Sequence, residues 1–404
     1  MSKNKLNIDS LSRLSFVKMV AERFAAVSKT PDAPVKDLMA YLPNQLAAAL
    51  HPHVQFLKVK EVITHNDDFK SFILTNDAAM GTKSLAWFSA GQYLAVAVEK
   101  DEKVYTRPYS IASSPRDSLK NEYRIAVKRV PGGIVSQTIL DTWDVGTAVI
   151  TSAPLGVFTY EPLRDAATVV GIAGGSGITP FFSLAKAIAE GDEDCSLVLL
   201  YGSRTLADAV FSDEIRALAE TCPKIRLVNV LSEEENDTCE HGFITADLIK
   251  KYAPAGEDYS LFLCGPQAMY SFVDKEIEKL GIRRKFVRHE LFGEYFHPEK
   301  NADYPLKASA EFEVTVHMGD KTEKIACASD TTLLRAMEAA GLNPPSDCRS
   351  GRCGWCHSQL LQGDVYIPAE VDGRRAADKQ FGYIHPCCAF PLSNVEIDVP
   401  PMPV

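Results

Sequence analysis

Four cysteines near the C-terminus of this 404-residue chain restrict its fold more than any other feature. Cys348, Cys353 and Cys356 follow the spacing C-x₄-C-x₂-C, and Cys387 lies further along the chain. This is the ligand spacing of a plant-type [2Fe–2S] cluster. Such a cluster carries one electron at a time, so we expect the residues before it to form a device that supplies those electrons.

A zinc site is the alternative, because structural zinc also binds four thiolates. Structural zinc is usually held by two C-x₂-C pairs, whereas here the fourth cysteine is solitary and distant, which favours [2Fe–2S]. Gly351 and Gly354 lie inside the two spacers and suit a backbone that wraps closely around a cluster. The spacing alone does not choose between the adjacent Cys387 and Cys388 as the fourth ligand.

The bulk composition narrows the function classes. A net charge of −10 argues against nucleic acid as a partner, because phosphate binding needs a basic surface. No stretch approaches the ~18–20 uninterrupted apolar residues of a membrane span. The N-terminal residues show no secretory signal, and six of the ten cysteines are scattered without a disulfide framework. We therefore expect a cytoplasmic protein.

Residues 1–50 are predicted to form a helical extension. Apolar residues recur near a 3.6-residue period on both sides of a proline-containing break at residues 31–34, and Pro34 is placed to begin the second helix. The periodic residues are Leu14, Phe16, Val17, Val20, Ala21, Phe24 and Ala25, followed by Val35, Leu38, Met39, Leu42 and Leu46. This extension is expected either to pack on the next domain or to dock a partner.

The remainder divides into three domains. Residues 51–163 contain short strands separated by turn residues, which predicts an antiparallel sheet or β-barrel. Residues 164–296 alternate between apolar strands and helices, which predicts a doubly wound parallel sheet. Residues 297–310 are polar and aperiodic and are predicted to be a linker. Residues 311–404 begin with a hairpin and a helix that Gly341 ends, and the cysteines follow.

Two motifs in residues 51–163 suit a flavin. Residues 107–110 read Arg-Pro-Tyr-Ser and offer a guanidinium for a phosphate, an aromatic face for a ring system and a hydroxyl for a ring nitrogen. Residues 132–136 read Gly-Gly-Ile-Val-Ser and precede a helix whose N-terminus suits a pyrophosphate. In this order the motifs resemble the R-x-Y-S and G-x-x-S signatures of the ferredoxin–NADP⁺ reductase superfamily.

The resemblance implies roles for individual residues of the flavin domain. Arg107 and Ser136 would hold the cofactor phosphates, with Gly132 and Gly133 in the same loop. Tyr109 would stack on the isoalloxazine, and Ser110 would lie near N5. Some members with a fused ferredoxin domain use FMN, but the intact Gly-Gly-x-x-Ser favours FAD.

A glycine-rich loop in the next domain suits a nicotinamide nucleotide. It follows an apolar strand, begins a helix and resembles the G-G-x-G-x-T-P loop of the same superfamily. Its matching residues are Gly174, Gly175, Gly177 and Thr179. Ser203 and Arg204 end the next strand, where an adenosine ribose would lie. Arg204 either pairs with the 2′-phosphate of NADPH or is a solvated arginine beside NADH, and the sequence leaves both open.

Two further segments resemble superfamily motifs near the flavin. Residues 264–266 read Cys-Gly-Pro, so Cys264, Gly265 and Pro266 would lie beside the nicotinamide, although a buried cysteine packing as a small hydrophobe is the ordinary alternative. Glu290 and Phe292 belong to a segment similar to E-x-F-G, in which Phe292 would cover the ring and Glu290 would assist proton movement. Residues 387–391 resemble the C-x-A-x-P end of plant-type ferredoxin domains, which selects Cys387.

The resemblance implies a multidomain fold and an electron-transfer function. We expect a flavin-binding antiparallel β-barrel, a doubly wound NAD(P)-binding domain and a C-terminal β-grasp ferredoxin domain. NADPH or NADH would give a hydride to FAD, and electrons would pass through [2Fe–2S] singly to a redox acceptor protein. The alternatives are a reductase of a small molecule, such as a quinone, ferric chelate or free flavin, and an electron-transfer subunit of a larger complex.

Four arginines surround the cysteines in a chain that is otherwise acidic. Arg349 and Arg352 flank the predicted ligands, and Arg374 and Arg375 precede Cys387. They are either solvated or paired within the chain, or they dock an acidic acceptor or the chain's own flavin domain.

Overall fold

The computed structural model describes residues 19–20, 22–23, 25, 37–291 and 293–401. It divides into two compact units, Met1–Ala48 and Ala49–Val404. The predicted second N-terminal helix is seen as a 3₁₀ turn, Leu38–Ala40, followed by α1, Leu42–Leu50. Most of the first predicted helix, and Pro34, lie outside the described residues.

The first sheet of the larger unit is antiparallel and six-stranded, in the order β4-β3-β6-β1-β2-β5. Its strands are β1 Val54–Asn66, β2 Phe69–Asn76, β3 Tyr93–Lys100, β4 Lys103–Ser110, β5 Glu122–Lys128 and β6 Ala148–Ser152, with α2 at Ile134–Thr142. Ile111, directly after β4, bridges to Ile125 in β5, so the two edge strands meet. Leu57, Phe72 and Leu94 lie in the core that this barrel-like sheet encloses.

The second sheet is parallel, in the order β10-β9-β8-β7-β11-β12. Its strands are β7 Thr168–Gly174, β8 Ser196–Ser203, β9 Ile225–Leu231, β10 Glu240–His241, β11 Ser260–Cys264 and β12 Val287–Glu290. The helices are α3 Thr179–Glu190, α4 Ser212–Thr221, α5 Ala246–Tyr252 and α6 Gln267–Glu278. Alternate residues of β7 enter different cores, Val169 one and Val170 the other, so both faces of the sheet are covered.

The strand order reverses at β7, which places β8 on one side and β11 on the other. In doubly wound sheets, ligands bind outside the carboxyl ends of the strands at such a switch point. The loops after β7 and β11 therefore mark the site of this domain.

The C-terminal sheet has five strands in the order β14-β13-β19-β15-β17, and β16 pairs separately with β18. Its strands are β13 Glu311–Met318, β14 Lys321–Ala328, β15 Ser358–Gln362, β16 Val365–Tyr366, β17 Tyr383–Ile384, β18 Phe390–Pro391 and β19 Val395–Asp398, with α7 at Leu333–Ala339 and α8 at Ala376–Gln380. α7 and the cysteine-bearing segment cover this mixed sheet, as expected for a β-grasp domain.

The predicted linker is partly attached to the C-terminal sheet. It contains a 3₁₀ turn, Pro298–Lys300. Asn301 donates to the Tyr366 hydroxyl at 3.0 Å, and the Tyr304 hydroxyl donates to the Ser329 carbonyl at 2.9 Å. Within the described ranges, none of the helices has the length and apolar character needed to cross a membrane.

Candidate functional site

The cysteines predicted as cluster ligands meet in two pairs. The side chain of Cys348 contacts that of Cys353, and the side chain of Cys356 contacts that of Cys387. Backbone amides point at the sulfurs: Cys353 N donates to Cys348 Sγ at 3.3 Å, and Gly351 N donates to Cys387 Sγ at 3.3 Å. Two pairs of thiols, with amides directed at them, suit a core of two irons.

A single metal ion fits this arrangement less well. Among the residues that the structure describes, no three His, Cys, Asp or Glu side chains are grouped so that they could hold one ion. A structural zinc site needs four ligands converging on one point. The paired thiols therefore fit [2Fe–2S] better than zinc.

The cluster loop, defined here as residues 348–356, depends on Gly351. This glycine has φ +74°, and a Cβ added to it would lie 2.1 Å from the Val371 carbonyl oxygen. Gly354 also has φ +74°. A Cβ on Gly354 would make only an ordinary contact, 3.7 Å from His385 Nε2, so Gly351 alone of the two shows the close backbone approach that the sequence predicts.

Cys388 lies beside the thiol pairs but is oriented differently. The Cys388 thiol contacts that of Cys387 but donates to the His385 carbonyl at 3.4 Å, whereas Cys387 also contacts Cys356 and accepts the Gly351 amide. This geometry supports Cys387 as the fourth ligand. Cys353 is the exposed member of the four, and Cys348, Cys356 and Cys387 are buried.

The Arg-Pro-Tyr-Ser motif ends β4. Ser110 is buried and pairs with Tyr93 of β3 in antiparallel register, and burial raises the pKa of Tyr109 well above its ordinary value. Arg107 lies close to carboxylates from later in the chain, with Nη1 3.4 Å from Glu338 and Nη2 3.5 Å from Glu294. Sequence reasoning expected a phosphate near Arg107 but gave no sign of these carboxylates.

The second flavin motif forms the predicted turn into a helix. Gly132 has φ +71°, and Gly133 is the residue before α2. The Ser136 hydroxyl accepts from Val130 N at 3.1 Å and is buried. The turn leads directly into the N-terminus of α2, whose first backbone amides suit a pyrophosphate.

The two nicotinamide motifs lie against each other. A Cβ on Gly177 would come within 2.0 Å of the Cys264 carbonyl oxygen, and one on Gly174 would lie 2.6 Å from Met269 Sδ and 3.0 Å from Pro266. The Thr179 hydroxyl donates to the Ser176 carbonyl at 3.0 Å. Only glycine allows the loop after β7 to pack this closely on residues 264–266.

Of the other residues predicted to bind the nicotinamide nucleotide or cover the flavin, some lie near the glycine loop and one lies outside the residues that the structure describes. The Tyr201 hydroxyl donates to the Gly175 carbonyl at 3.1 Å, which ties β8 to the glycine loop. Ser203 ends β8, and the exposed Arg204 pairs with Asp208 at 3.4 Å. Phe292 lies outside the described residues.

The three domains meet around Glu290. Cys264 in β11 pairs with Glu290 in β12, and a Cβ on Gly156 would lie 3.0 Å from the Tyr93 ring and 3.9 Å from Glu290 Oε1. Burial, followed by the nearby Cys348, raises the pKa of Glu290 to about 8. Burial also raises the pKa of Tyr93, and Cys348 raises it further. Tyr93 belongs to no motif that we identified, so sequence reasoning missed it.

The four arginines near the cysteines divide between two environments. Arg349 is fully buried and pairs with Glu294 and Glu338, so it cannot face an acceptor protein. The other three have partners within the C-terminal domain: Arg352 the Glu370 carbonyl, Arg374 the Asp372 carboxylate and Arg375 the Asp378 carboxylate. Their side chains are still partly exposed, Arg375 to 84%.

Comparisons with known families agree with this domain order. Sequence models match an oxidoreductase FAD-binding domain over residues 56–160, an oxidoreductase NAD-binding domain over 172–275 and a 2Fe-2S iron-sulfur cluster binding domain over 316–392.

Individual relatives align with most of the chain. It is 29% identical over 346 residues to the ferredoxin reductase component of 3-ketosteroid-9-alpha-monooxygenase from Rhodococcus rhodochrous, covering 84% of this chain and 94% of that protein. It is 26% identical to the glycine betaine monooxygenase reductase subunit of Chromohalobacter salexigens, covering 84% and 93%. Phthalate dioxygenase reductase is a similar solved structure, with 26% identity, a TM-score of 0.59, and 86% and 98% of the two chains covered.

The chain therefore belongs to the ferredoxin–NADP⁺ reductase superfamily. Within that superfamily it is an NAD(P)H-dependent oxidoreductase with a C-terminal 2Fe-2S domain, and its domains bind FAD, a nicotinamide nucleotide and a [2Fe–2S] cluster.

Proposed function

We propose that this protein is the reductase component of an oxygenase system and passes electrons from NAD(P)H, through FAD and [2Fe–2S], to a separate oxygenase protein. The observation that supports this proposal most directly is the meeting of three domains at one place. Ser110 and Tyr93 come from the flavin sheet, Cys264 and Glu290 from the nicotinamide sheet, and Cys348 from the cluster loop.

Each domain contributes residues that suit its cofactor. We assign FAD binding to Arg107, Tyr109, Ser110, Gly132, Gly133 and Ser136. We assign nicotinamide binding to Gly174, Gly175, Gly177, Thr179, Ser203, Arg204, Cys264, Gly265 and Pro266, with Phe292 beside the flavin. We assign the cluster to Cys348, Cys353, Cys356 and Cys387.

The reaction requires two electrons to enter together and leave one at a time. A bound flavin can accept a hydride from a nicotinamide and release single electrons to an iron–sulfur cluster. We assign to Ser110 a hydrogen bond to the ring and to Cys264 a position beside the nicotinamide. Glu290, with its pKa near 8, holds a proton at neutral pH and can donate it within this buried space.

The electrons are expected to leave on the side of the cluster loop that faces solvent. Cys348 and Cys353 both lie close enough to Tyr93 of the flavin sheet to act on it electrostatically, and Cys353 is also exposed and lies next to the exposed Trp355. A metal ligand at the surface, beside an exposed aromatic ring, suits transfer to another protein. Relatives at 26–29% identity are reductase components of monooxygenases, which supports an oxygenase as the acceptor.

An anaerobic titration tests the proposal. The purified protein, loaded with FAD and cluster, is titrated with NADH and separately with NADPH while its visible absorbance is recorded. We expect bleaching of both flavin and cluster bands by at least one nucleotide. A Cys348→Ser variant should still show flavin bleaching but should lose electron delivery to an oxygenase.

Two results would count against the proposal. A wild-type protein whose flavin is not reduced by either nucleotide is not a reductase of this kind. A Cys348→Ser variant with undiminished turnover of a quinone or ferric chelate, and a wild type that delivers nothing to any oxygenase, would favour a small-molecule reductase instead.

We also propose that the protein acts in the cytoplasm. The supply of reduced nicotinamide nucleotides and the ten cysteines, all of them free thiols in the structure, support this location. Fractionation of cells that express the protein, with detection by antibody, would test it.

A further inference from the structure

Five charged side chains form a cluster where the domains meet. Those of Glu294, Glu338 and Arg349 are buried, and those of Arg107 and Arg335 are partly exposed. Arg107 comes from β4 of the flavin sheet, and Glu294 comes from the segment after the nicotinamide sheet. Arg335, Glu338 and Arg349 come from the C-terminal domain, the first two in α7 and the third in the cluster loop. We call these five residues the charge junction.

Arg349 is the centre of the charge junction. Its side chain is fully buried, and it donates Nη1 to Glu338 Oε1 at 2.7 Å and Nη2 to Glu338 Oε2 at 2.8 Å. It also donates Nε to Glu294 Oε1 at 2.8 Å. A guanidinium removed from water in this way requires carboxylate partners, because an unpaired buried charge is strongly unfavourable.

Two more arginines complete the charge junction. Arg335 Nε lies 3.3 Å from Glu294 Oε2, and Arg107 lies 3.4–3.5 Å from both carboxylates. Lys103, also in β4, donates to the Ala339 carbonyl at the end of α7. Charged groups therefore join β4 of the flavin sheet to α7 of the C-terminal domain at two positions, Arg107 and Lys103.

The charge junction cannot form inside the C-terminal domain alone. The matched 2Fe-2S domain spans residues 316–392, so Glu294 and Arg107 both lie outside it. Without them Arg349 would keep Glu338 as its carboxylate partner, together with the Ser346 hydroxyl, to which it donates at 3.3 Å. The buried arrangement therefore depends on docking of the C-terminal domain against the flavin and nicotinamide domains.

The position of Arg349 connects this docking to the cluster. Arg349 directly follows Cys348 and has φ +55°, a left-handed conformation that is unfavourable for a residue with a Cβ. The Cys348 side chain is close enough to influence Tyr93 and Glu290 electrostatically. Fixing the Arg349 guanidinium on Glu294 therefore fixes a cluster ligand that lies close to the flavin sheet.

We propose that the charge junction is an interdomain latch, and that Arg349 and Glu294 are positioning residues for electron transfer from flavin to cluster. The proposal deepens the function proposed above and rests on it. Each hydride would supply two electrons to the flavin, and the cluster would accept them one at a time. The first would reduce one ferric ion to ferrous, and the second would cross after the acceptor protein has taken the first. The latch takes no part in this redox change and sets only the distance and orientation over which it occurs.

The test uses Glu294→Gln in the full-length protein loaded with FAD and cluster. This change removes one interdomain charge and leaves the Arg349–Glu338 pair intact. Glu313→Gln is the matched control, because Glu313 pairs with Lys324 within the C-terminal domain and both side chains are exposed. Rapid mixing with reduced nicotinamide gives separate rates for flavin bleaching and cluster bleaching.

We expect Glu294→Gln to leave the flavin-reduction rate within about twofold of wild type and to slow cluster reduction at least about tenfold, since small misplacements of reacting groups have large effects on rate. Protease cleavage within residues 297–310 should become about tenfold faster, because loss of a buried charge partner favours the undocked state. Glu313→Gln should match wild type in all three measurements.

Wild-type rates of cluster reduction and of cleavage in Glu294→Gln would overturn the proposal. Equal slowing of both electron-transfer steps would also overturn it, because that result means damage at the flavin site instead of altered docking. If Glu294→Gln does not accumulate, Glu294→Asp, which keeps the charge but is one methylene shorter, is judged by the same outcomes. The cleavage comparison needs no electron transfer, so it still tests the latch if the proposed function fails.

Discussion

Individual residues at this site are defined by the space and charge around them. Gly351 has no room for a Cβ beside the Val371 carbonyl, and Glu290 lies in a buried space near a cluster ligand. The first effect is steric and concerns assembly of the cluster loop. The second effect is electrostatic and concerns the protonation state of the Glu290 carboxyl group.

Gly351→Ala is expected to prevent cluster assembly. The new Cβ would lie 2.1 Å from a backbone oxygen, so the cluster loop must shift away from Val371. Gly319→Ala is the matched control, because Gly319 also has positive φ, +61°, but has nothing within 4 Å of its added Cβ. Iron and sulfide content after anaerobic reconstitution should be near zero for the first variant and normal for the second. Full cluster occupancy in Gly351→Ala would contradict the steric explanation.

The raised pKa of Glu290 predicts how stability depends on pH. A glutamate in the unfolded chain has a pKa of about 4.3, whereas the pKa of Glu290 in the folded protein is about 8. The contribution of protonated Glu290 to the free energy of unfolding is therefore complete below the unfolded-state pKa and is lost as the pH rises through the folded-state pKa. Glu290→Gln carries no charge at any pH and should not show this loss.

Thermal or denaturant unfolding at several pH values measures the effect. At equal cofactor content, the free energy of unfolding of Glu290→Gln relative to that of wild type should increase by about 2–5 kcal/mol between about pH 5 and about pH 9. A stability difference that stays constant across this range would show that the Glu290 carboxyl titrates normally.

At the scale of elements, α7 supports both the cluster domain and its docking. It begins after Thr332, whose hydroxyl accepts from Arg335 N at 3.3 Å. Its last turn carries Glu338 and meets β4 through Ala339. Loss of helix at either end would therefore disturb the charge junction as well as the domain core.

Thr332→Ala is expected to destabilise the C-terminal domain by about 1 kcal/mol, because it removes the N-cap of α7. Thr332→Ser keeps the hydroxyl and should destabilise the domain less than Thr332→Ala does. The measurement is the denaturant concentration at which the cluster absorbance disappears. Equal midpoints for wild type and Thr332→Ala would mean that the cap does not contribute.

At the scale of the whole molecule, residues 49–404 form one compact unit in which the flavin sheet contacts α7 of the C-terminal domain through Arg107 and Lys103. Electron transfer from flavin to cluster should therefore occur within one molecule. We expect its rate constant to stay the same, within about twofold, over a wide range of protein concentration, as for any unimolecular step. Rapid mixing at several dilutions measures it, and a rate proportional to concentration would mean transfer between molecules.

Sequence patterns were sufficient to predict the order of domains and the chemistry of each. The cysteine spacing, the Arg-x-Tyr-Ser segment and the glycine loop are local, because each cofactor contacts a short stretch of backbone. The apolar runs Ile225–Leu231 and Ser260–Cys264 predict strands with those bounds, and both strands are observed at the same bounds. The run Ser71–Leu74 also predicts a strand, but the observed strand is longer, Phe69–Asn76, because residues beyond each end of the run pair with neighbouring strands.

The sequence by itself therefore determined the cofactors and the order of the domains that hold them, because those depend on residues close together in the chain. Only the tertiary structure decided where the domains meet. Tyr93, Glu294 and Glu338 belong to no motif that we identified. For Arg349 the sequence leaves open whether the side chain is solvated, paired within the chain or part of a docking surface, and the structure shows it buried between two carboxylates. Contacts between residues far apart in sequence leave no periodic or spacing pattern, because they are fixed by packing and charge pairing that arise only when the whole chain has folded.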